Sequence, residues 1–125
     1  MDLKLEKNKT LCKKFVLFVI KELNINKAPK IYLQNGRGNI KTTASYSYDI
    51  EKDYCVIRVN CKNRALVDCL RSLGHELVHH KQYENGLFNK EKPQDIGGDI
   101  EDEANAKSGQ FIKLFSRENE EIYDF

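Results

Sequence analysis

The stretch His75-Glu76-Leu77-Val78-His79 combines two histidines four residues apart with a glutamate directly after the first. On a helix, residues four apart lie one above the other, so His75 and His79 can share one metal ion. Zn²⁺ binds imidazole nitrogens at about 2.0–2.1 Å, which suits this separation. Glu76 can then act as a general base towards a metal-activated water. The motif therefore predicts the chemistry of metal-assisted amide hydrolysis.

The residues around the motif predict a half-buried helix rather than a solvated one carrying two ordinary histidines. Apolar residues at helical spacing form a stripe that would face a core, namely Leu66, Cys69, Leu70, Leu73 and Leu77. The neighbouring face is largely polar and carries Asp68, Ser72, His75, Glu76 and His79. We therefore expect the helix to present its two motif histidines at the floor of a cleft.

The third and last histidine of the chain is His80. It is rotated by about 100° from His79 around the helix, so it cannot bind the same ion. We expect a structural role for it near the end of the leucine stripe. The alternative is that it assists catalysis by donating a hydrogen bond.

A catalytic zinc ion usually has three protein ligands and one open position, so a third ligand is needed. The segment 97–109 begins with two glycines. Its carboxylates are concentrated in what would be the first turn of a helix, where the helix dipole favours them. Glu101 shares a face of this helix with the small residues Ala104 and Ser108, which would let a second helix approach closely. Glu103 instead lies four residues before Lys107, the spacing of an exposed ion pair. The spacing predicts Glu101 as the third ligand, with Glu103 as the fallback.

Asn105 falls on the same predicted helix face as Glu101. From there its side chain could hydrogen-bond the second nitrogen of a ligating histidine and fix its tautomer. The alternative is a role in helix packing.

The two motif segments together resemble the gluzincin metallopeptidases. The resemblance rests on His75-Glu76-x-x-His79 followed by Glu101-x-x-Ala104-Asn105 and covers roughly residues 11–115. It is strongest to the very small forms called minigluzincins and to HExxH proteins encoded by tailed bacteriophages. In this family the first glutamate of the second motif binds zinc, which also implies Glu101. Larger gluzincins carry an additional His or Tyr that stabilises the tetrahedral intermediate, and this sequence shows no clear counterpart.

The rest of the chain predicts a single small α+β domain over its 125 residues. Apolar spacing from Thr10 to Leu23 predicts an amphipathic helix. Lys30 to Gln34, residues 39–48 and Tyr54 to Asn60 predict three strands, the last two joined by a hairpin connection. We expect the N-terminal helix, the HExxH helix and the C-terminal glutamate helix to pack on a three-stranded sheet. By resemblance, this is a minimal zincin fold.

The resemblance also implies where a substrate would bind. In zincins an extended peptide pairs with the sheet edge above the zinc, which corresponds here to the strand from Ile40 to Tyr48. The residues expected to contact the substrate are Thr43, Ala44, Ser45 and Tyr46. Edge pairing uses main-chain hydrogen bonds and tolerates varied sequences. The alternative is an ordinary exposed edge whose polar side chains prevent aggregation.

Composition argues against several other classes of protein. A hydrophobic fraction of 40% and a charged fraction of 32% are typical of a globular protein. No apolar run approaches the length of a membrane span and no secretory signal opens the sequence, so we expect no membrane partner. The net charge is +2 and the lysines lack interleaved aromatic residues, so we expect no nucleic-acid partner. We expect the protein in the cytoplasm, or in a virus particle if it is phage-encoded.

Two functions remain open from the sequence. The first is a zinc metallopeptidase acting on a peptide or protein substrate; the second is a catalytically silent zinc-binding module, for example of a phage particle. Glu76 favours the enzyme, because a structural site has no need of a carboxylate beside its open position. The acidic tail from Arg117 to Phe125 is expected to fray or, as in minigluzincins, to lie in the cleft and hold the enzyme latent.

Overall fold

The computed structural model describes residues 1–36, 38, 42–88 and 98–123. Three helices and three strands follow one another in the predicted order: α1 (Glu6–Leu23), β1 (Lys30–Gln34), β2 (Ala44–Asp49), β3 (Tyr54–Asn60), α2 (Leu66–Glu84) and α3 (Asp99–Ser116). A short 3₁₀ helix, η1 (Glu120–Tyr123), follows α3. The α+β class is confirmed. No helix in these ranges has the length and apolar character needed to cross a membrane.

The three strands form one mixed sheet in the order β1-β3-β2. β1 pairs with β3 in parallel, with Ile31 opposite Ile57, and β2 pairs with β3 antiparallel, with Tyr46 opposite the same residue. The predicted hairpin between β2 and β3 is confirmed. Because β3 is central, five of its seven residues are buried, whereas β2 has one buried residue.

The helix α1 begins at Glu6, four residues before the predicted start. Its first turn is polar and has no side-chain cap, so apolar spacing gave no signal for it. Further along, Phe15 and Val19 are fully buried against the core. The strand predicted over 39–48 begins only at Ala44, and residues 39–41 lie outside the described residues.

The leucine stripe of α2 faces the core as predicted. Leu70, Leu73 and Leu77 are each at most 1% exposed. They belong to a hydrophobic cluster to which all three helices and the sheet contribute. Since the stripe fixes the rotation of α2 about its axis, the neighbouring face with the motif histidines turns towards α3.

Small residues let α2 and α3 approach closely. A Cβ atom at Gly74 would lie 3.5 Å from Cβ of Ser108 and 3.3 Å from Cζ of Phe15. On α3, Ala104 and Ser108 are buried, as the predicted small face requires. This close contact places the first turn of α3 beside the histidine face of α2.

The described part of the tail includes η1 and has one buried side chain. Ile122 in η1 is 1% exposed and belongs to the hydrophobic core. Deleting residues 117–125 would therefore remove a core side chain, and activity after such a deletion would not report on latency alone. Residues 124 and 125 lie outside the described residues.

Candidate metal centre

The helix α2 places the two motif histidines edge to face. Their Nε2 atoms are 3.1 Å apart, and the ring planes cross at 84°. The side chains of His75 and His79 are 20% and 11% exposed, so both are largely shielded but reachable from solvent. The spacing of four residues thus brings both Nε2 atoms to one point, as the sequence predicts.

The first turn of α3 brings Glu101 to the same point. Its Oε2 lies 3.1 Å from Nε2 of His75, and its Oε1 lies 2.8 Å from Nε2 of His79. The Glu101 side chain is 33% exposed, which makes it the most exposed of the three. The carboxylate can reach both imidazoles because the two helices touch at Gly74 and Ser108.

These three side chains could hold a metal ion. Their ligand atoms lie within 4.8 Å of one another, and they form the one such group of histidine, cysteine and acidic residues in the described part of the chain. A tetrahedral ion with ligands at about 2.0–2.1 Å separates those ligands by about 3.3 Å. The observed separations of 2.8–3.1 Å are slightly shorter, so little movement would be needed.

The electrostatics of the site favour the neutral imidazole that binds metals. Burial lowers the pKa of His75, and the adjacent His79 acts in the same direction. Glu101 and a hydrogen bond with the side chain of Asn105 oppose this shift. The structure therefore brings Asn105 to a clustered histidine, as its predicted helix face requires.

Glu76 and Glu103 both lie outside the cluster of three. Glu76 is 8% exposed on α2, in the turn between the two histidines. Glu103 forms the predicted ion pair with Lys107, at 3.3 Å. A hydrogen bond from Gln82 is the main cause that lowers the pKa of Glu103, which keeps this carboxylate ionised. Of the two carboxylates considered as the third ligand, Glu101 is therefore the one that the structure brings to the histidines.

The comparisons with known proteins give no family for this chain. No family model, no curated protein and no solved structure matches it. The site must therefore be interpreted from its own residues.

His80 is buried away from the cluster and has a structural position. Its Nε2 lies 2.6 Å from the carbonyl oxygen of Lys27, which can only accept, so Nε2 carries the proton. Its Nδ1 then accepts from the hydroxyl of Tyr46, at 2.8 Å. The His80 side chain thus links α2 to the sheet and to the segment before β1, and lies outside the cluster of three.

Tyr46 is one of the four residues expected to contact a substrate, and its side chain is buried. It is 4% exposed and points into the core, so only its main chain could contact a substrate. The alternation of the strand buries this side chain, whereas the next residue, Ser47, is exposed.

The main chain of β2 retains groups for edge pairing. β2 pairs with β3 alone among the described strands. The N–H of Asn60 donates to the carbonyl of Thr43 at 2.8 Å, so these two residues form a hydrogen-bonded pair. Such pairs alternate along an antiparallel ladder, so Ser45 also directs its main chain to β3. Ala44 and Tyr46 direct theirs to the outer edge, and these two of the four predicted residues could pair with a peptide.

Sequence reasoning missed two neighbours of His79. Phe88 lies with its ring centroid 6.2 Å from that of His79 and stacks on Tyr48 of β2 at 5.6 Å, so it stands between the cluster and the edge strand. Gln82 forms a hydrogen bond with Nδ1 of His79, the ring nitrogen outside the cluster. Its position three residues after His79, on a helix face turned towards α3, was the available signal.

Glu101 and an exposed carboxylate beside it on α3 give a matched test of the metal site. Loss of a residue that only supports a ligand typically lowers metal affinity by about 10–100-fold. We expect Glu101→Gln to weaken Zn²⁺ binding by more than this, because a direct ligand is lost. Asp102→Asn removes the same charge one residue away, at an exposed position, and should change the affinity by less than about threefold. Competition with a chromophoric chelator measures both. Equal losses in the two variants would contradict the assignment of Glu101.

Proposed function

We propose that this protein is a zinc-dependent peptidase that hydrolyses internal peptide bonds. The observation that carries the proposal is the convergence of His75, His79 and Glu101 within 3.1 Å, with Glu76 directly beside the first ligand in the chain. The resemblance of the two motif segments to gluzincins supports the same assignment. His75, His79 and Glu101 would hold the ion.

A bound zinc ion supplies Lewis acidity, which polarises a scissile carbonyl and lowers the pKa of a water molecule. Glu76 removes a proton from the attacking water, and the water oxygen forms the new bond to the carbonyl carbon. The carbon–nitrogen bond then breaks, and the Glu76 carboxyl group passes its proton to the leaving amine nitrogen. Glu76 thus returns to the carboxylate form, and one water has been consumed for each peptide bond.

The donor set alone would also suit a non-haem iron(II) centre, because two histidines and one carboxylate bind that ion in oxygenases. The position of Glu76 favours zinc. A carboxylate one residue after the first ligand, on the same helix, has an evident role in hydrolysis as a proton acceptor. Oxygen chemistry at iron gives no comparable role to it.

The edge strand β2 supports a peptide as the substrate. Ala44 and Tyr46 direct main-chain groups outward, and Phe88 joins this edge to His79 through ring contacts. A peptide in extended form would pair with those groups and bring one of its carbonyls towards the cluster. Such pairing recognises the main chain of the peptide more than its side chains.

Exchange of Glu76 for glutamine tests the reaction. We expect Glu76→Gln to keep the fold and the bound zinc, because the side chains have nearly the same shape, while hydrolysis falls by about 10²–10⁴-fold with the loss of the general base. Zinc-loaded wild-type and variant proteins are incubated with a mixed peptide library, and cleavage is read by mass spectrometry.

Glu22→Gln provides the matched control, since Glu22 is exposed on α1, a helix that contributes no residue to the cluster. It should cleave like the wild type. Absence of cleavage by zinc-loaded wild-type protein would overturn the peptidase proposal and favour the catalytically silent zinc module.

A proline in the edge strand tests how the peptide binds. The N–H of Ala44 points outward, so Ala44→Pro should remove one hydrogen bond to the substrate without removing one from the β3 ladder. One such bond contributes about 1 kcal/mol, so we expect KM for a cleaved peptide to rise about fivefold. Ala44→Ser keeps the N–H and is the control. Equal KM values for the two variants, with similar melting temperatures, would exclude pairing at this edge.

A further inference from the structure

Gln82 is a buried amide that connects the two helices of the candidate site. It is 1% exposed and lies in α2, three residues after His79. Its Oε1 is 2.8 Å from Nδ1 of His79, and its Nε2 lies 2.9 Å from both the carbonyl oxygen of Ile100 and Oε1 of Glu103. A buried primary amide with partners at both ends is tightly constrained in its orientation.

The partners on α3 determine which way the amide faces. A carbonyl and an ionised carboxylate can only accept, so both require the NH₂ end of Gln82. A rotation by 180° would place Oε1 against two acceptors and lose both hydrogen bonds. The oxygen of Gln82 must therefore face His79, and only a protonated Nδ1 can donate to it. The lone pair of His79 is then on Nε2, the atom that points into the cluster.

Glu101 favours the opposite tautomer of the same imidazole. Its Oε1 lies 2.8 Å from Nε2 of His79 and would accept a proton placed there. In that tautomer the Nε2 lone pair is no longer available to a metal. The site therefore contains a competition between Gln82 and Glu101 for the position of one proton.

We propose that Gln82 is a positioning residue for the metal centre, which holds the proton of His79 on Nδ1 and fixes the first turn of α3 beside α2. The inference rests on the metal-binding part of the proposed function. Because Ile100 and Glu103 flank Glu101 in the chain, the same amide sets the place of two of the three ligands. Gln82 contributes no ligand atom of its own.

The test combines a metal-free and a metal-bound measurement on Gln82→Met, which keeps the length of the side chain and removes every hydrogen bond. In metal-free wild-type protein, ¹⁵N–¹H correlation spectra of the three histidine rings should show Nδ1 of His79 protonated. In Gln82→Met the proton should move to Nε2, next to Glu101. The Zn²⁺ affinity of this variant should fall by about 10–100-fold. Gln110→Met makes the same chemical change at an exposed position of α3 and should alter neither result.

The two readouts separate this inference from the proposed function. An unprotonated Nδ1 of His79 in the metal-free wild type would overturn the role of Gln82, whatever metal the protein binds. This measurement does not depend on the folding of any variant. An unchanged Zn²⁺ affinity in folded Gln82→Met would also overturn that role. Absence of zinc binding by the wild type would defeat the proposed function, while the tautomer would still report on Gln82.

Discussion

The candidate site depends on the close contact between α2 and α3. A carboxylate can lie within 3.1 Å of two imidazoles on a neighbouring helix only if the helices touch nearby. Gly74 precedes His75 and has no side chain, and Ser108 faces it from α3, seven residues or about two turns after Glu101. A larger residue at either position would separate the helices and withdraw Glu101. The geometry of the site therefore requires small residues where the two helices touch.

The helix α2 also shows how one element can serve the core and the site together. Its leucine stripe is buried in the hydrophobic cluster, which fixes its rotation, and the adjacent face then presents the histidines. Among the other buried polar residues of α2, His80 is paired with Tyr46, and Gln82 with partners on α3. Among the described residues no buried side-chain polar atom lacks a hydrogen-bond partner. Polar groups near the site thus hold the neighbouring elements in place without the cost of unpaired burial.

Much of the arrangement could be predicted from the sequence because it follows local periodicity. The bounds of β1 and β3 and the rotation of α2 follow from alternation or helical spacing. The expectation that Glu101 lies beside the histidines also needed the ligand count of a zinc site and the resemblance of the two motif segments. What could not be predicted depends on contacts between distant segments. The parallel pairing of β1 with β3, the burial of Tyr46 against His80 and the bridge from Gln82 to α3 each require the relative placement of two elements. Periodicity describes one element at a time and carries no such information.

The central claim is that His75, His79 and Glu101 bind one zinc ion, and X-ray absorption spectroscopy of the purified protein tests it most directly, because it identifies both the element and its ligands. The account predicts one zinc ion per chain, with nitrogen and oxygen ligands at about 2.0–2.1 Å and the scattering pattern of two imidazoles. Zinc held by sulfur at about 2.3 Å would contradict the account, because it would place the ion at the cysteines. Iron in place of zinc would contradict the hydrolytic assignment.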